Sequence, residues 1–274
     1  MSHMSIPALD RIVYGPVRSR RLGTSLGINL LPPGMKICNM DCAYCQYGWS
    51  RRAVRYRGQG AGWPSVAAVT TAVAARLEAA AERNESIDRL TIAGHGEPTL
   101  HPEFEAIVRG LRETRDRIAP RLPIAVLSNS TTTLWPDVGR GLALLDERYM
   151  KLDAGDPLMF ARLNGGGTSI RHVIDGLRTL SPITVQAMFV RDRNHEIDNS
   201  TEAAVDHWLW ALETTRAERV HVYTLDRRPA LGTLVPVSPR RLREIAEHVR
   251  AIGIPADVFI TRAAPDPGSA GAPA

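Results

Sequence analysis

The chain has 274 residues, a formal net charge of +5 and 44% hydrophobic residues, enough for one large domain or two small ones with a sizeable core. No run of about 18 apolar residues occurs and the N-terminus lacks a basic-then-apolar leader, which argues against a membrane span and a secretion signal and for a cytoplasmic location. The basic excess is almost all arginine, with Lys36 and Lys151 the two lysines, and no dense basic stripe marks a nucleic-acid surface.

Residues 1–23 read as an N-terminal extension, of which MSHM (1–4) reads as an expression-vector scar by its composition. "TSLGINLL" (24–31) is short, apolar and bounded by Gly23 and Pro32–Pro33, which predicts a buried strand. The segment 64–84 predicts a helix, with Pro64 in its first turn and Val66, Val69, Val73 and Leu77 on one face. A strand at 87–94 and a helix at 103–119 follow, then a strand at 122–130, a short helix at 136–146 and a strand at 148–154. A helix at 169–180, a strand at 182–190, a helix at 201–217, a strand at 218–226 and a helix at 238–253 continue the series. "PADVFIT" (255–261) adds a possible last strand, and 263–274, small and rich in Pro and Gly, is expected to be disordered.

Six strand–helix units in alternation predict an α/β fold with a parallel sheet, helices outside and right-handed crossovers curling it into a partial (βα)6 TIM-like barrel over 24–262. In such folds chemistry gathers at the carboxyl ends of the strands. Polar or glycine-rich segments follow each predicted strand there, so all six converge on one rim.

After the first strand, "CNMDCAYC" holds the only cysteines, Cys38, Cys42 and Cys45. An odd thiol count in one loop argues against a disulfide framework. Thiolates suit zinc, copper(I) or iron–sulfur clusters. Four protein ligands close a structural zinc site, and four cysteines fully ligate a [4Fe–4S] cube, so three leave one corner open. The competing arrangement is a Cys3His zinc site that takes its fourth ligand from His95 or His101.

This motif, with Tyr44 just before its last cysteine and its place after the first strand, resembles the radical S-adenosylmethionine (SAM) superfamily. The resemblance implies that the three cysteines hold a [4Fe–4S] cluster whose fourth iron binds SAM. It also implies reductive cleavage of SAM to methionine and a 5′-deoxyadenosyl radical. "AGHGEPTLHP" (93–102) resembles the family segment that binds the SAM amino group, the match falling on Gly94, Gly96, Glu97 and Pro98; an ordinary βα turn is the alternative. Ser128 and Asn129 lie where relatives contact SAM, or they are helix caps. Lys151 and Asp153 share a strand face and, by the resemblance, hold the ribose or carboxylate of SAM; a surface ion pair is the alternative. Gln186 contacts adenosine or satisfies a backbone group.

A longer resemblance runs from Tyr14 to Arg228, through "YGPVRSRRLG", "GHGEPTLHPEF", "KLDA" and "YTLDRRP". It points to the group of wyosine-synthase-like iron–sulfur oxidoreductases. Arg20 and Arg21 would then lie beside the cluster loop and hold an anionic substrate, or tie down the N-terminal arm. The chain departs from its namesake in having no cysteines for a second cluster. A single-cluster enzyme acting on a peptide or protein, with a small peptide-binding partner, is the leading expectation. A tRNA or nucleotide substrate and activation of a glycyl-radical enzyme are the alternatives. Flavodoxin or ferredoxin is the expected electron donor.

Overall fold

The computed structural model describes residues 9–50, 54 and 57–260; the proposed scar at 1–4 and the tail at 263–274 lie outside them. The chain begins with an antiparallel hairpin, β1 (Val13–Ser19) and β2 (Gly23–Ile28). It continues through α1 (Val66–Glu82), β3 (Arg89–Ile92), α2 (Phe104–Ile118), β4 (Ile124–Ser128), α3 (Pro136–Ala143) and β5 (Glu147–Lys151). Then come α4 (Pro157–Asn164), α5 (Ile170–Leu177), β6 (Thr184–Met188), β7 (Val190–Asp192) and α6 (Glu202–Thr215). The series ends with β8 (Arg219–Tyr223), β9 (Leu234–Pro236), α7 (Pro239–Ala251) and β10 (Ala256–Phe259).

Strands β2, β3, β4, β5, β6, β8 and β10 are parallel neighbours in that order, with β1 antiparallel on the outer edge of β2. The predicted parallel sheet is therefore present, and "PADVFIT" does supply a seventh parallel strand. The sequence reading left β1 out, and the reason is local: Gly15–Pro16 interrupts its alternation, and the register shifts between Tyr14 and Val17. It also left out α4 and the short ribbon β7–β9. Pro64 proves to precede α1, because Ser65 caps that helix through its side chain and the backbone N–H of Ala68. Asp156, Ser169, Thr201 and Ser238 cap α4, α5, α6 and α7 in the same way, each satisfying an end N–H the helix cannot.

Alternation along the strands separates two faces. Leu26, Ile28, Leu90, Ile92, Val126, Met150, Val185 and Val222 are buried in the main core, which includes residues of all seven helices α1–α7. The intervening residues face the concave side, the lumen. They include Ser25 and Thr91, whose hydroxyls meet at 2.5 Å, and the aromatic pair Tyr149–His221. The sheet curls far enough for one side chain to bridge it: Arg20, on the β1–β2 turn, bonds the Ile260 carbonyl past the end of β10 and pairs with Asp226 at 2.9 Å. No helix among the described residues is long and apolar enough to cross a membrane.

Candidate active site

The predicted strands run past the observed ones at their carboxyl ends, because there the chain leaves the ladder and turns over the lumen. The cysteine loop follows β2. A turn in which the Cys45 N–H bonds the Cys42 carbonyl at 2.9 Å shapes it, and two outside segments hold it. At one side, Ile37 pairs with Gly96, and the Glu97 N–H donates to the Ile37 carbonyl at 2.9 Å. At the other, the last turn of α4 receives the N–H groups of Asp41 and Ala43 on the carbonyls of Asn164 (2.9 Å) and Leu163 (2.8 Å). Gly165 and Gly166 then leave the helix at φ 59° and 90°, pressed against Asp41 and Asn39, where a Cβ would collide with the Asn39 carbonyl.

Each cysteine has a distinct neighbourhood. The Asn129 amide lies 3.6 Å from Cys38 Sγ, and the Asn164 amide 3.5 Å from Cys42 Sγ. Burial pushes the Cys38 and Cys42 thiols up as free thiols. Lys36, itself anchored on Asp41 (2.9 Å) and the Gly48 carbonyl (2.7 Å), feels the charges of Cys45 and Cys38.

Beneath the loop, Tyr44 donates to Asp153, which is fully buried and also receives Asn164 Nδ2 (2.8 Å) and the Met188 N–H (2.8 Å). Lys151 Nζ sits 3.5 Å from Asp153, 3.0 Å from the Tyr223 hydroxyl and 4.5 Å from the Tyr44 ring centre. Burial alone would lower the Lys151 pKa, but Asp153, Tyr223 and Cys42 outweigh it and raise it, so the cation persists. The expected Lys151–Asp153 pair is therefore inside the lumen and not on the surface.

The "GHGEP" segment packs closely against the segments before it in the chain. A Cβ on Gly94 would meet the Asn29 amide, and one on Gly96 the Ile37 carbonyl, so both glycines answer to protein contacts. Pro98 opens a 3-10 turn capped by Glu97. The Glu97 carboxylate is 1% exposed and accepts from Thr99, the Ser128 hydroxyl (3.0 Å) and the Asn129 N–H (2.6 Å). Burial pushes its pKa up against those donors. Ser128 and Asn129 thus face Glu97 and Cys38, tying the loops after β3 and β4 to each other.

His95 and His101 are consumed elsewhere. His95 accepts from the Leu9 N–H (3.0 Å) and bonds the Pro32 carbonyl (2.9 Å); His101 accepts from the Glu103 N–H (3.0 Å) and bonds the Pro64 carbonyl (2.9 Å). Neither is free to complete a Cys3His site. Among the described residues no group of three or more His, Cys, Asp or Glu side chains is set around a single metal ion. Three thiols with amide donors beside two of them, and both histidines spent, fit a cube with one open corner.

Arg20 and Arg21 stand on the β1–β2 turn, at the amino end of β2, whereas the cysteine loop follows its carboxyl end. Arg20 is tied to Asp226. The Arg21 guanidinium enters the lumen, 3.9 Å from the Tyr223 ring centre and 3.5 Å from Gln186 Oε1. Gln186 Nε2 is buried with no partner. Sequence reasoning missed Asn164 and Tyr223. Asn164 had one available signal, since Asp156 and Pro157 spell a helix start eight residues before the glycines.

A sequence profile of the radical SAM superfamily matches residues 33–186, more than half of the chain. A UPF0026 protein of Helicobacter pylori is 29% identical over 222 residues, covering 79% of this chain and 67% of that protein. A radical SAM methyltransferase from Sphaerobacter thermophilus shares the fold at TM-score 0.60 and 18% identity, over 87% of this chain and 67% of its own. TYW1 with a lysine–pyruvate adduct matches at 0.54 and 15% identity, over 83% and 73%. Streptococcus suis SuiB bound to precursor peptide SuiA matches at 0.58 and 12% identity, over 86% and 48%.

Proposed function

The chain belongs to the radical SAM superfamily, and on that premise we propose that it removes hydrogen from a peptide or protein substrate held in the lumen between Lys151 and Arg21. Membership brings a [4Fe–4S] cluster and SAM as cofactors, with Cys38, Cys42 and Cys45 as the residues to hold the cluster. A reduced cluster held there would supply the single electron that cleaves SAM to methionine and a 5′-deoxyadenosyl radical, the hydrogen-abstracting species. The chain's own residues bind, orient and exclude water.

In this reading Lys151 and Asp153, with Tyr44 above them, face the amino-acid part of SAM. Lys151 offers a charge that suits a carboxylate, and Asp153 fixes that lysine. Gly94 and Gly96 keep the backbone after β3 close to the loop. Glu97, Ser128 and Asn129 hold the neighbouring loops rigid. Reorganisation during electron uptake is thereby kept small.

The observation that carries the substrate reading is Arg21. It has no carboxylate partner among the described residues, and it lies beside the unpaired Gln186 Nε2. A cation and an idle donor in one half-buried place favour an anionic group, such as an acidic side chain or a chain terminus. A tRNA or nucleotide is the second reading, favoured by the arginines 51, 52 and 55 that follow the cysteine loop. Arg57, in the same run, is already spent on Asp137 and the His101 carbonyl.

The test is deoxyadenosine formation by reconstituted, dithionite-reduced protein with SAM and lysate fractions. The peptide reading predicts stimulation that protease abolishes and ribonuclease leaves intact. The opposite sensitivity would replace it with the RNA reading.

A further inference from the structure

We propose that the side-chain amides of Asn164 and Asn129 set the reduction potential of the cluster by donating N–H···S hydrogen bonds to Cys42 and Cys38. The inference rests on the three thiols holding a cube, and it concerns electron uptake and not substrate.

Both amides come from outside the cysteine loop. Asn164 is the last residue of α4, 1% exposed, and its Nδ2 lies 3.5 Å from Cys42 Sγ, 122 residues away in sequence. Asn129 follows β4 and is 8% exposed; its Nδ2 lies 3.6 Å from Cys38 Sγ. These separations are within the range of hydrogen bonds to sulfur, which is larger than oxygen.

The orientation of each amide is fixed by its surroundings. Asn164 Nδ2 also faces Asp153 Oδ2 at 2.8 Å and the Tyr44 hydroxyl at 3.1 Å. Turning the amide over would set its oxygen against a carboxylate oxygen and a thiolate. Its Oδ1 consequently stays without a partner. Asn129 is held the same way: Oδ1 accepts the Thr131 N–H (3.0 Å) and hydroxyl (2.7 Å), which leaves Nδ2 to Asn39 Oδ1 (2.9 Å) and the sulfur. Neither amide can turn away from its sulfur without breaking a bond to a buried acceptor.

One-electron reduction adds negative charge that spreads onto the thiolates. A buried donor aimed at them stabilises the reduced form more than the oxidised one, so the potential rises. Lys151 and Lys36 add charge at longer range, and the Met40 N–H and the Tyr44 hydroxyl, from within the cysteine loop, also face Cys38 and Cys42; among the described residues the two asparagines are the donors that reach the sulfurs from other elements. They are positioning residues, because they act through the cysteines.

The experiment is an EPR-monitored redox titration of reconstituted wild type, Asn164→Ala, Asn129→Ala and the double variant, with iron counted in each. Each single variant is expected to keep its cluster and, at the wild-type midpoint, to show a reduced-to-oxidised ratio about tenfold lower, equivalent to 59 mV for one electron. The double variant is expected to move further in the same direction, because the donors serve different sulfurs. An unchanged or raised midpoint with iron retained overturns the proposal. Should a variant lose its cluster, wild-type protein labelled with 15N-asparagine decides: pulsed EPR of the reduced cluster is expected to show coupling to side-chain amide nitrogen, and its absence overturns the proposal. Failure of wild type to bind iron at all would instead sink the cluster reading.

Discussion

His221 predicts a measurable acid sensitivity. Its ring lies on the lumen face of β8, 5% exposed, between Tyr149 (5.6 Å between ring centres) and Phe259 (4.9 Å). Burial, and after it the Arg21 charge, lowers its pKa to about 4; Asp257, with Oδ2 3.9 Å from Nε2, opposes this, and Arg219 and Arg89 add to the lowering. The folded pKa lies below the unfolded 6.5, so between those values the unfolded chain binds more protons. The stability is therefore whole above about pH 6.5 and is lost as pH falls toward 4, by roughly 3 kcal/mol in total. Phenylalanine fills the same space without titrating. Urea denaturation of wild type and His221→Phe at pH 7 and pH 4.5 isolates this group, because protonation elsewhere is common to both. Wild type should lose about 2.5 kcal/mol more than the variant over that interval. Equal losses would refute the assignment of a neutral, buried His221.

Lys151→Met removes the cation paired with fully buried Asp153, and among the described residues leaves that carboxylate with neutral donors. The expected cost is about 3 kcal/mol by denaturant titration, with SAM binding lost in equilibrium dialysis. Gly96→Ala drives a methyl group into the Ile37 carbonyl; iron incorporation should fall severalfold while far-UV circular dichroism stays native, because the strain sits in the cysteine loop. Ser65→Ala removes the α1 cap and should lower stability by about 1 kcal/mol without altering iron content.

Strands, helices and the convergence of loops were legible because hydrophobic alternation and capping residues are local signals. So was the cysteine loop, whose three clustered thiols mark a soft-metal or cluster site and carry the family resemblance. What the sequence hid is long-range. Asn164 reaches Cys42 only because α4 folds back over the loop, and no periodicity in "PLMFARLN" announces that. Gly94 and Gly96 stood out as ligand-approach glycines, yet their immediate neighbours are Asn29 and Ile37. The turn that carries Arg21 was not legible, because the antiparallel β1, broken by Gly15–Pro16, did not read as a strand. Once β1 is in place, its turn lies opposite the cysteines, and only the long arginine side chain returns to the lumen.

The most direct test of the account is the product of SAM incubated anaerobically with reconstituted, dithionite-reduced protein. The account predicts 5′-deoxyadenosine from protein carrying about four irons, and none when Cys38, Cys42 or Cys45 is replaced by alanine. Intact SAM in the presence of a fully loaded and reduced cluster would contradict it.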